Sequence, residues 1–204
     1  LPQEASTEDG ALTISLPEGW VFNASGFGEI LVANSDAVLE AFDSPTMPSL
    51  DEGVAGTVSV VPGAGLSELG LEAGAELTAI VDTLDDVMLS GIVSGSGESQ
   101  VNMGDAEDFT VGDASGAIST GTITDGEETV DAALVVTAVG DDYGLGFFLA
   151  AEDGIGDFQA QLEAIVASIV YEVPEADAGG TGDGDDEEGD EPEMEETEEA
   201  GDDE

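Results

Sequence analysis

A chain of 204 residues that holds 49 Asp and Glu but no Lys, Arg or His excludes several kinds of chemistry at once. About 25 basic residues would be ordinary at this length; without them there are no side-chain salt bridges, phosphate clamps or imidazole bases, nucleic-acid binding has no electrostatic footing, and a polybasic membrane anchor is absent. Zero Cys removes disulfides and thiolate chemistry, while 41% apolar residues still supply one substantial core.

Residues 1–10 read as a flexible polar lead-in. Leu12, Ile14 and Leu16 then alternate with Thr13 and Ser15, the period of a half-buried strand over 11–16. Pro17-Glu18-Gly19 stops it ahead of Trp20-Val21-Phe22, and the apolar run Glu29–Ala33 is expected as its antiparallel partner. A helical turn is expected over 35–42, capped by Ser35 or Asp36 and ended by Pro45 and Pro48. Another strand spans 56–61 and closes at Pro62-Gly63.

The clearest helix covers 75–89: Leu77, Ile80, Val81, Leu84, Val87 and Met88 make one apolar stripe, and Gly91 ends the pattern. Residues 94–107 read as a surface loop. A meander follows, with 109–111 leading into 117–124, a hairpin signal at Asp125-Gly126, an internal strand over 130–139 and a return over 143–150. Ile155, Phe158, Leu162, Ile165, Val166 and Ile169 define a last amphipathic helix before Pro174. The expected organisation is thus a lead-in over 1–10, a globular domain over 11–173 and a tail over 174–204. Residues 175–204 contain 17 acids and one large apolar side chain, Met194. Such a segment cannot offset its ordering entropy by burial, so disorder is expected.

Only oxygen ligands are plentiful, which favours Ca²⁺ or Mg²⁺ over Zn²⁺ or copper. The weak candidates are Asp183, Asp185, Asp186, Glu187 and Glu188. Their run is similar to an EF-hand loop but lacks the Gly at position six and flanking apolar helices, so loose, diffuse binding is expected and no cofactor is required. Hydroxyl nucleophiles need a His or Lys base that the chain does not contain. A carboxylate-only hydrolase would need two buried acids with divergent pKa values; no catalytic residue is assigned. The Gly-rich stretches carry no phosphate-binding pattern. Trp20 is expected to plug the edge of the core, and Asn23-Ala24-Ser25 is a glycosylation sequon.

The order of strand, LPEGW turn, strands, helix, hairpin meander and terminal helix resembles the PsbP/Mog1-like domain family. The matching residues are Leu12–Trp20 and the closing pattern over 117–170, including FQAQLEAIVASIV. The resemblance implies an α+β fold, an α/β/α sandwich with a central, mostly antiparallel sheet. It also implies an exported or lipid-anchored accessory role, since some members bind larger protein assemblies or a regulatory GTPase. The family supplies no catalytic motif. A partner surface built on Lys or Arg is ruled out in this chain.

The opening Leu1-Pro2-Gln3, with neither an initiator Met nor a signal-peptide pattern, fits a mature, exported chain, as it would fit an artificially trimmed one. No apolar run approaches the roughly 20 residues of a membrane span. The expected role is a non-catalytic extracellular or cell-envelope binding domain for a basic protein, an envelope component or cations. A dedicated Ca²⁺-binding protein is the alternative. Crowded carboxylates should raise one another's pKa on the acidic faces, as suits a halophilic, acidophilic or designed origin.

Overall fold

The computed structural model describes residues 2–25, 28–42, 53–71, 74–96, 100–125 and 128–172. The tail expected over 174–204, with its five metal candidates, lies outside them, as do the turn residues Gly126 and Glu127. Among the described residues, eleven strands and three α-helices follow one another along the chain. A small sheet takes the order β1-β2-β11, from β1 (Gln3–Ser6), β2 (Leu12–Leu16) and β11 (Val170–Tyr171). The large sheet takes the order β3-β4-β5-β10-β9-β8-β6, with β7 also pairing β8. Its strands are β3 (Val21–Ser25), β4 (Glu29–Ala33), β5 (Val54–Val61), β6 (Gln100–Met103), β7 (Glu107–Val111), β8 (Ala114–Asp125), β9 (Glu128–Val139) and β10 (Asp142–Ala151). Every pairing is antiparallel. The α+β sandwich expected from the sequence is the fold observed.

Strand alternation divides the large sheet's side chains between two helix layers. On one face, Val135 of β9 and Phe148 of β10 share a core with Leu162, Ile165 and Val166 of α3 (Ile155–Ala167) and with Ile14 of β2. On the other, Leu134 and Val136 meet Ile80, Val81 and Leu84 of α2 (Leu77–Ser96), while Val38 of α1 (Asp36–Phe42) packs with Ala55 and Leu149. The internal strands β9 and β10 are buried on both faces, as their unbroken apolar runs require.

Four expectations are corrected. The lead-in is not flexible throughout: Gln3–Ser6 pairs with β2, because Ala5, fully buried, and Thr7, nearly so, anchor a strand too polar to announce itself. Glu29–Ala33 pairs with β3 and β5, not with β2. The intervening Pro-Glu-Gly turn, with Gly19 at φ +89° and the Trp20 N–H on the Pro17 carbonyl, carries the chain from the small sheet to the large one. Helix α2 runs through Gly91 and Gly95 to Ser96, since each glycine costs only about 1 kcal/mol in a helix interior. The loop expected over 94–107 is therefore helix at its start, and it holds β6 as well as the first residue of β7. Ser35 caps α1 from its hydroxyl, 3.4 Å from the Val38 N–H.

One contact fixes the outer strand. Phe109 of β7 sits opposite Gly116 of β8, where a side chain on the glycine would collide with the phenyl ring. The ring covers the gap that glycine leaves. Phe109→Ala should therefore speed amide exchange across residues 107–111 while β9 and β10 keep their protection, as read by hydrogen exchange followed by NMR. By contrast, Leu162→Ala, at a fully buried site in α3, should lower global stability by about 2–5 kcal/mol in urea titration.

Candidate interaction surface

A buried or half-buried carboxylate normally finds a cation or several hydrogen-bond donors. Here the donors are backbone N–H groups and hydroxyls. Helix α3 begins after Gly154, which has no side chain to cap it; Asp131 of β9 supplies the acceptor instead, its Oδ2 3.2 Å from the Ile155 N–H. That places a negative charge at the positive end of the helix dipole. Asp142, at the start of β10, accepts the Gly63 N–H at 3.0 Å and ties down the segment after β5. Asp9 accepts from the Thr7 hydroxyl at 2.6 Å and the Ala11 N–H at 3.0 Å, closing the β1–β2 connection. These bonds hold the Asp9 carboxyl below the usual carboxylate value, the Thr7 hydroxyl contributing most. The direction is the reverse of the raising expected from crowded charge.

The other described carboxylates lie mainly on the outside. Glu18, Glu40, Asp82, Glu128, Asp141 and Glu152 are exposed, distributed over loops, helices and strand ends. Asp85 is the buried exception, 9% exposed on α2. The β6–β7 edge concentrates them further: Asp105, Glu107, Asp108 and Asp113 are all exposed within nine residues of chain. This edge is also broken. Met103 faces Gly121 and Glu107 faces Ile118, so three residues of the outer chain span two of β8. The extra residue is a β-bulge, held by the Gly104 N–H on the Thr120 carbonyl at 2.9 Å and by the Ser119 hydroxyl on the Gly104 carbonyl at 3.0 Å. Sequence periodicity finds β7 through 109–111 but misses β6, because only its Val101 and Met103 are even half-buried.

The remaining sequence candidates fall out simply. Trp20 is 4% exposed, packs in the α3 core and donates its indole N–H to the Gln161 side chain at 2.8 Å. It is a core plug. Asn23 of the sequon is exposed on β3, the opposite edge of the large sheet. Among the described residues no three carboxylates come together as a metal site, and no helix is long and apolar enough to cross a membrane.

No protein-family model and no curated protein matches the sequence. The fold is similar to the solution structure of cyanobacterial PsbP (CyanoP) from Synechocystis, with a TM-score of 0.52, 12% identity, and coverage of 84% of this chain and 92% of that one. It is more distantly similar to LpqN of Mycobacterium tuberculosis, a protein involved in cell envelope biogenesis, at a TM-score of 0.41 and 12% identity over 85% of this chain and 91% of that one. A Bacteroides thetaiotaomicron crystal structure matches at a TM-score of 0.47 and 12% identity, over 84% of this chain and 49% of that one. The chain therefore has the PsbP-like fold that its LPEGW turn and closing helix resemble.

Two measurements check the use of backbone donors. Asp131→Ala should cost about 1 kcal/mol in urea titration, as loss of a helix cap does, and Asp131→Asn less, since it keeps the acceptor. In an NMR titration Asp9 should ionise below the ordinary 3.8, and Thr7→Val should bring it back toward that value. Because the folded-state pKa is depressed, the stabilisation from this turn is present at neutral pH and is lost as pH falls below 3.8 through the folded value.

Proposed function

We propose that this is a non-catalytic accessory domain, extracellular or held at the cell envelope, that binds a basic partner through its acidic exterior. The observation that carries the reading is where the carboxylates find partners. Asp9, Asp131 and Asp142 are answered by the chain's own N–H and hydroxyl groups, and with no basic side chain in the sequence the exposed remainder has no counter-charge within the molecule. Neutralisation has to come from outside, as counterions, protons or a cationic protein. The PsbP-like fold supports the accessory role by likeness of architecture alone.

Attraction of this kind acts mainly on encounter: opposite net charge raises the association rate, and salt removes the gain. Against a small basic protein such as lysozyme, the association rate should fall by about tenfold or more between about 20 and 300 mM salt, with dissociation changing much less. A rate independent of salt would refute the reading. Calcium calorimetry tests the alternative, in which defined stoichiometry and micromolar affinity would make the metal the ligand rather than background.

The same charge predicts the conditions of stability. Repulsion among ionised carboxylates opposes the compact state, so the thermal midpoint should rise with added salt. A midpoint highest in salt-free neutral buffer would overturn the account.

A further inference from the structure

We propose that β7 is the docking strand for the basic partner, which adds to the large sheet as an extended, lysine-bearing segment. This rests on the basic-partner reading above and says where and in what conformation that partner binds.

Among the described residues β7 pairs only with β8. In an antiparallel strand alternate residues direct their N–H and C=O groups away from the existing neighbour, so β7 presents an open row of donors and acceptors. The strand is held ready for pairing, because Phe109 lies over Gly116 and fixes its register on β8; the occupant then bears little of the ordering cost. The bulge at 104–106 ends the regular edge, so the pairing surface is the five residues Glu107–Val111.

Side-chain parity supplies the chemistry. Glu107 stands on the face that carries Phe109 and α3, and Asp108 on the face that carries α2. An added strand alternates in the same way and sets basic side chains against both acids at cross-strand distance. Acidic groups on a sheet edge ordinarily blunt it against all comers. In a chain whose side-chain charges are all negative they repel a second copy of the molecule and every other acidic strand, but not a cationic one. The edge is closed to self-association and open to basic segments. The opposite edge, β3, has the sequence Val-Phe-Asn-Ala-Ser and offers no such complement.

The test uses the full chain and the peptide Lys-Val-Lys-Val-Lys-Val-Lys, beside the same peptide N-methylated at alternate residues, which keeps its charge but loses donors on one side. The parent peptide should slow amide exchange in residues 107–111, and N-methylation should weaken binding about tenfold in calorimetry. Glu107→Lys with Asp108→Lys should weaken it about tenfold as well, whereas Asp36→Lys with Glu40→Lys on α1 should change it less than about threefold. Equal affinity for both peptides, with β7 exchange unchanged, would overturn strand addition and leave the charge-driven partner reading standing. Failure of both peptides to bind at low salt would remove both. The peptide comparison needs no variant, so a variant that misfolds does not blunt it.

Discussion

Carboxylates that must be satisfied by N–H groups and hydroxyls, because the chain holds no cationic side chain to meet them, organise much of this structure. In most proteins an Asp at a turn can be exchanged for an ion pair elsewhere on the surface. Here it cannot. Asp131 reaches from β9 to the start of α3, Asp142 holds the Gly63 backbone, and Asp9 closes the turn between β1 and β2. Each joins two segments, so a few acids are built into the architecture while most of the others described face water. The interior is left to apolar packing on both faces of one large sheet.

That division explains what the sequence disclosed. The elements that periodicity alone reveals, β2, α2, β8, β9, β10 and α3, are those with several fully buried side chains: a helix stripe such as Ile80, Val81 and Leu84, or an alternation such as Leu12, Ile14 and Leu16. The elements it hides, β1, β6 and β11, lie at sheet edges and bury one side chain or none. An edge strand is stabilised by its ladder to a neighbour, and the ladder leaves no periodic trace in composition. The partner of β2 is hidden for a related reason. Pairing across the LPEGW turn looks local in sequence, whereas the turn separates two sheets and β2 finds β11 from far along the chain.

The interaction surface is legible in the sequence as charge and illegible as shape. Composition announces an acidic exterior and the lack of any internal counter-charge. Which acids are spent on the fold and which stay available depends on contacts between distant residues, such as Asp131 with Ile155. The same holds for the register break at Gly104, visible only once Met103 and Glu107 are matched to their partners on β8. Both depend on tertiary neighbours rather than on local pattern.

Trp20 stands where the two sheets part, its ring in the α3 core and its N–H on Gln161 of that helix. It is the chain's single tryptophan. Its fluorescence is therefore a built-in gauge of one seam of the molecule: loosening of the last helix from the corner would wet the indole and shift its emission to the red, whereas changes confined to α2 on the other side of the sheet would leave the signal still.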